Sequence, residues 1–240
     1  MTIVAIIIII AFAFFAQSLL GFGGGLICIP ILSLFMPVQD VVAMVMLHQF
    51  SMGLLIFKVH KNIGWMHIRK MIPMTVVGVI IGVFFLKILD GDWVRLGLAA
   101  YIILHLARKH TSFDPMGRMI EGGGVHLAGF LGGALNAMIG GGGPAFILYL
   151  KDKAENSSEF RANIIAMLMI SNVPRAIGMA GTGLFTWDIF ILGLYSYPTF
   201  LLALWAGQKL HDKIPQKVFF NAVEVLLFFS AMFLVIKVML

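Results

Sequence analysis

The chain has 240 residues, of which 60% are hydrophobic and only 12% charged, with a mean hydropathy of +1.00. The charged share is about half that of a globular domain, which excludes a soluble protein and points to an integral membrane protein with the lipid bilayer as its surroundings. A single cysteine, Cys28, excludes a disulfide framework and a Cys-based metal site, and the net charge of +6 reads as loop lysines and arginines of a membrane protein, not as a nucleic-acid footprint.

Charges punctuate the sequence. Residues 1–39, 41–57, 71–86, 96–107, 122–150 and 189–208 contain none, 162–187 contain only Arg175, and 218–236 contain only Glu224. Eight apolar segments follow, four on each side of residues 108–121. The division is a first transmembrane repeat over 1–107, a cytoplasmic linker over 108–121 and a second repeat over 122–240. The N-terminus, "MTIVAIIIII", lacks the basic stretch of a signal peptide, and its apolar run continues far past the "AFA" at 11–13.

The first segment is too long. As one straight helix, 39 uncharged residues would reach about 58 Å, nearly twice the hydrocarbon thickness. "GFGGGLICIP" (21–30) sits inside it. Residues 122–150 would reach about 44 Å, and "IGGGGPAFIL" (139–148) sits inside them. Each glycine run is expected to break its segment. Gly78/Gly82 and Gly129/Gly133 read differently, as small-xxx-small patterns that let helices approach closely.

The halves also resemble each other. With Gly23–Gly25 set on Gly141–Gly143, Gln17-Ser18 falls over Leu135-Asn136, "MLHQFSMG" (46–53) near "MISNVPRA" (169–176), and Trp65 on Trp187. Loop charge gives the relation a hand. If residues 122–150 enter the membrane and leave on the same side, thirteen of the seventeen Lys and Arg lie in cytoplasmic loops. The second half is then upside down relative to the first. The fold expected is an all-α polytopic membrane protein of two inverted four-segment repeats, each opening with a glycine-broken, re-entrant helix pair. Eight plain crossings with tightly packed glycines are the alternative.

A helix start at each break offers backbone N–H groups without intrahelical partners and a positive dipole end. Missing side chains let an anion come close. Gly23, Gly24, Gly25, Gly141, Gly142 and Gly143 are therefore candidate anion-binding residues. Pro144 suits the first turn of the second helix. Arg175 lies at the centre of its segment, where a charge is costly and functional by default. It faces either the anion or Glu224. Gln17, Ser18, His48, Gln49, Asn136, Ser171 and Asn172 are the polar lining expected beside the breaks, and His48 is also a candidate carrier for a coupling proton. Tyr101, His105, His126 and Asn221 read as packing residues.

The glycine runs "GFGGGLICIPIL" (21–32) and "GGGGPAFILYL" (140–150), with the length and the four-plus-four layout, resemble the TauE/SafE (sulfite exporter) family of membrane transporters. The resemblance spans the whole chain. It implies a secondary transporter of the cell membrane for sulfite, sulfoacetate or related sulfur-containing anions. No cofactor is implied beyond a coupling proton or ion, and a homo-oligomer stays open. Family members carry a proline several residues after each glycine run. Pro30 matches, whereas the second run has Pro144 directly after it and Leu148 at the later place. A passive anion channel and a carboxylate carrier are the rival readings. An intramembrane enzyme lacks support: no Gly-x-Ser, HExxH or pair of membrane aspartates occurs.

Overall fold

The computed structural model describes residues 3–20, 23–54, 62–110, 115–151, 153–210 and 216–239, and all their regular structure is helical. The first half holds α1 (Ile3–Leu20), α2 (Gly24–Ser33), α3 (Val38–Leu54), α4 (Trp65–Ile68), α5 (Ile72–Ile88) and α6 (Gly91–His110). The second holds α7 (Pro115–Ile139), α8 (Gly143–Leu150), α9 (Ser157–Thr182), α10 (Trp187–Tyr195), α11 (Tyr197–Leu210) and α12 (Gln216–Met239).

Both over-long segments are broken at their glycines. Gly23 stands before α2 with φ 100°, and Gly140 follows α7 with φ 61°; both are left-handed conformations that suit glycine. Pro144 is the second residue of α8, where its missing N–H costs nothing. The ten residues of α2 and the eight of α8 give rods of about 15 and 12 Å, each half a bilayer core or less.

Two further breaks are present. Gly124 (φ 59°, ψ −147°) interrupts α7 within a third glycine run, Gly122–Gly124. The 189–208 segment bends by 50° between α10 and α11, at Ser196 just before Pro198. As a result, one unbroken helix, Ala162–Thr182, is by itself long and apolar enough to cross a membrane, and α10 with α11 form a second such unit across their bend. The linker expected over 108–121 is entered from both sides, because α6 runs to His110 and α7 starts at Pro115.

The closest helix pair is α5 on α7, and it is built on glycine. A Cβ on Gly78 would strike the Phe130 carbonyl, and one on Gly82 would lie 2.7 Å from the Ala134 carbonyl. A Cβ on Gly129 would lie 2.6 Å from the Met71 carbonyl, and one on Gly133 would strike that of Thr75. The close-packing reading of these four glycines holds. The next pair is α1 on α11, where Gly207 meets Ser18 and the Phe15 carbonyl. The central α3 packs on α9, and α6 on α12. The outward surface is apolar: Ile80, Phe84, Leu202 and Phe228 are exposed, as are all four tryptophans, Trp65, Trp93, Trp187 and Trp205. Such a surface suits lipid, with tryptophan at its margins.

Candidate functional site

The two main glycine breaks touch. A Cβ on Gly25 would lie 2.6 Å from the Gly140 carbonyl oxygen, one on Gly140 3.3 Å from Gly25 Cα, and one on Gly141 2.9 Å from Leu26. Backbone meets backbone here with no room for a side chain. The start of α2 is thereby set against the turn that leads into α8. Gly21 and Phe22, at the head of the first run, lie outside the described residues.

Local hydrogen bonds explain the second turn. The N–H groups of Gly140 and Gly141 fold back to the carbonyls of Asn136 (3.0 Å) and Leu135 (3.2 Å), which closes the end of α7. The Tyr101 hydroxyl, from α6, donates to the Gly141 carbonyl at 2.6 Å. Among the described residues nothing accepts from the N–H of Gly142 or of Ala145 at the start of α8. No side chain caps that helix. The start of α2 differs: Gln17 Oε1 accepts from Gly24 N–H at 3.1 Å, and Gly24 leaves the space that the Gln17 side chain fills.

Arg175 is fully buried on α9. Its Nη1 donates to Gln49 Oε1 at 2.5 Å and its Nη2 approaches the Val42 carbonyl at 3.4 Å, both on α3. Gln49 in turn donates from Nε2 to the Gly140 carbonyl at 3.4 Å. A continuous chain therefore runs from the buried guanidinium to the point where the breaks meet. No described carboxylate pairs with Arg175, and the side chain of Glu224 lies outside the described residues. Next to this chain, Asn136 donates from Nδ2 to Ser171 Oγ (2.8 Å) and to Asn172 Oδ1 (3.0 Å). Its Cβ sits where a Gly142 side chain would begin. Asn172 and Arg175 are three residues apart on one face of α9.

Two of the expected lining residues point elsewhere. Ser18 Oγ donates to the Leu204 carbonyl on α11 at 2.8 Å. His48 sits at the α10–α11 bend, with Nδ1 3.1 Å from the Met44 carbonyl and Nε2 2.9 Å from Ser196 Oγ, among Phe14, Tyr197 and Phe200. The breaks thus gather Gln17, Gln49, Asn136, Ser171, Asn172 and Arg175 with the glycines, while Ser18 and His48 line the α11 side. Tyr101, read from sequence as packing, belongs to the break itself. Nothing in one sequence places a tyrosine of α6 against a turn forty residues on. Ser196 had a readable signal, since Pro198 follows it.

Fold and site define a helical membrane protein whose interrupted helices meet at a buried arginine. The chain belongs to the sulfite exporter TauE/SafE family, which matches it over residues 6–234. It is similar to the probable inner membrane transporter protein TsaS of Comamonas testosteroni, with 26% identity over 173 residues, 72% of each chain. No solved structure matches it. The protein is accordingly a multi-pass membrane transporter and not an enzyme.

Proposed function

We propose that this protein is a secondary transporter of a small sulfur-containing anion, sulfite or an organosulfonate, working by alternating access of two inverted halves. The observation that carries the reading is the contact between the two glycine breaks beside a buried arginine. Unpartnered N–H groups at the start of α8 and the positive end of its dipole favour an anion there. Arg175 adds a full charge that no described carboxylate neutralises. Non-helical backbone at membrane depth is tolerated where it lines a path for solvent or substrate. The glycines, Arg175, Gln49, Asn136, Ser171 and Asn172 form the anion site, and Gln17 holds the α2 start in place.

The packing supports the repeat. Matching α1–α6 with α7–α12 exchanges the pair α5·α7 with the pair α11·α1 and returns α3·α9 and α6·α12 to themselves. A two-fold relation between halves produces that pattern. In this arrangement α3 and α9 lie on the axis and carry Gln49 and Arg175, so a rocking of one half against the other passes through the site. A coupling proton or ion drives the cycle, with His48 at the α10–α11 bend as the proton carrier. The family supports the sulfur anion over the carboxylate.

The test is flux into proteoliposomes. Saturable sulfite uptake that follows an imposed proton or sodium gradient supports the reading. Ohmic anion conductance in planar bilayers, with no gradient-driven accumulation, would establish the channel instead. Transport of small carboxylates with no response to sulfite or sulfonates would overturn the substrate class.

A further inference from the structure

The hydrogen-bond bookkeeping at the site sets the protonation state of its ligand, an inference that rests on the anion site above. Ser171 has one hydroxyl hydrogen, and it is donated to the Leu168 carbonyl at 2.9 Å. Its oxygen can then only accept, so the Asn136 atom 2.8 Å away is the amide nitrogen. The second N–H of that amide goes to Asn172 Oδ1. This fixes Asn136 Oδ1 as a fully buried acceptor with no partner. On the same side of α9, Arg175 has the opposite surplus. Its Nη1 and Nη2 are engaged, and its Nε–H is buried without a partner.

A buried donor and a buried acceptor left open in one cluster are expensive unless a ligand or water meets both. A dianion such as sulfate or sulfite carries only acceptors. It would satisfy Arg175 and the N–H groups of Gly142 and Ala145, but it would set an oxygen lone pair against Asn136 Oδ1. A neutral ligand would leave the guanidinium charge unanswered.

We propose that the ligand is a monoanion that keeps one hydrogen-bond donor. Its anionic oxygens accept from Arg175 and from the α8 N–H groups, and its own O–H or N–H donates to Asn136 Oδ1. Hydrogen sulfite and the hydroxy- or aminoalkanesulfonates share this chemistry. Asn136 is then the residue that separates a protonated monoanion from an aprotic or doubly charged one.

The experiment compares 2-hydroxyethanesulfonate with 1-propanesulfonate, which have nearly the same shape and the same charge and differ in the hydroxyl. Binding is measured on the full chain in nanodiscs. The hydroxyl compound should bind roughly tenfold to a hundredfold more tightly, the range expected when a buried acceptor is left unmade. Asn136→Leu should bring the ratio close to one by weakening the hydroxyl compound. The wild-type ratio decides the matter even if that variant does not fold. A second arm titrates sulfite between pH 6 and pH 8 beside 1-propanesulfonate. Sulfite affinity that rises toward pH 6 while the sulfonate stays level identifies the inorganic hydrogen anion as a ligand. A level sulfite response with the hydroxyl preference intact assigns the site to organic sulfonates. Equal binding of the two sulfonates by the unaltered protein overturns the inference and leaves the anion site standing. Failure of sulfite and both sulfonates to bind overturns the anion site as well.

Discussion

Gly25→Ala tests the contact between the breaks with a single methyl group. The added carbon would sit 2.6 Å from the Gly140 carbonyl oxygen and 2.6 Å from Gln49 Nε2. Ordinary contact begins near 3.4 Å, so the two turns must part by about 0.8 Å. The Gln49 amide can rotate away, but the carbonyl belongs to a backbone held by Asn136 and Gln49. Overpacking of this kind costs about 1–3 kcal/mol. In a chain of this size that lowers the melting midpoint by several degrees. The functional loss should be larger. A shift approaching 1 Å separates the α8 N–H groups from the guanidinium, and misplacement of that size removes roughly a hundredfold of a geometry-dependent rate. The assay is sulfite flux in proteoliposomes, with thermal unfolding followed in detergent. Gly97→Ala is the control: it is exposed on α6, nothing lies within 4 Å of its Cβ, and alanine favours helix by about 1 kcal/mol. It should keep full flux at equal or higher stability. Wild-type flux in folded Gly25→Ala would refute the claim that the breaks act in contact.

The remaining predictions concern the arginine, the tyrosine and the helix crossing. Arg175→Met should abolish sulfite binding, measured in nanodiscs, while the melting midpoint holds or rises, because a buried charge without a described counter-ion is itself costly. Arg175→Lys should recover part of the binding, since the charge stays and the planar fork is lost. Tyr101→Phe removes the 2.6 Å bond to the Gly141 carbonyl and should lower stability by about 0.5–1.5 kcal/mol, with sulfite affinity reduced several-fold. Gly133→Val drives a branched side chain into the Thr75 carbonyl and should prevent folded protein from accumulating, as judged by gel filtration. Gly181→Ala, with open space around its Cβ, should leave the elution profile unchanged.

The breaks were legible because helix length is arithmetic. Thirty-nine uncharged residues do not fit a bilayer as one rod, and only glycine runs offered a place to interrupt them. Arg175 was legible because a charge in an apolar segment has nothing to hide behind. Facing was not legible. In soluble helices the polar stripe reveals the buried face, but here lipid and core are both apolar and that stripe vanishes. Neighbours such as Gln17-Ser18 and His48-Gln49 sit roughly 100° apart around their helices. In each pair one member reaches the glycine breaks and the other turns to the α11 side. The Gly124 break had a signal, the third glycine run, but it lies at the edge of the segment, where length puts no strain on a continuous helix.

The ends of α2 show why a short rod can serve an anion. Its far end is held by two cations: Lys237 Nζ reaches the carbonyls of Ser33 (3.4 Å) and Leu34 (2.7 Å), while Arg95 reaches those of Ser33 and Met36 at 3.3 and 3.4 Å. These cations answer the negative end of the dipole. Arg95 is itself paired with Asp92 at 2.5 Å, so the clamp joins α2 to α6 and α12 as one body. With its outer carbonyls satisfied there, α2 leaves only its glycine end to be matched. Gln17 covers part of that end and α8 stands against the rest. An anion arriving beside Arg175 therefore meets a rod already fixed at the other end, and little ordering remains to oppose its binding.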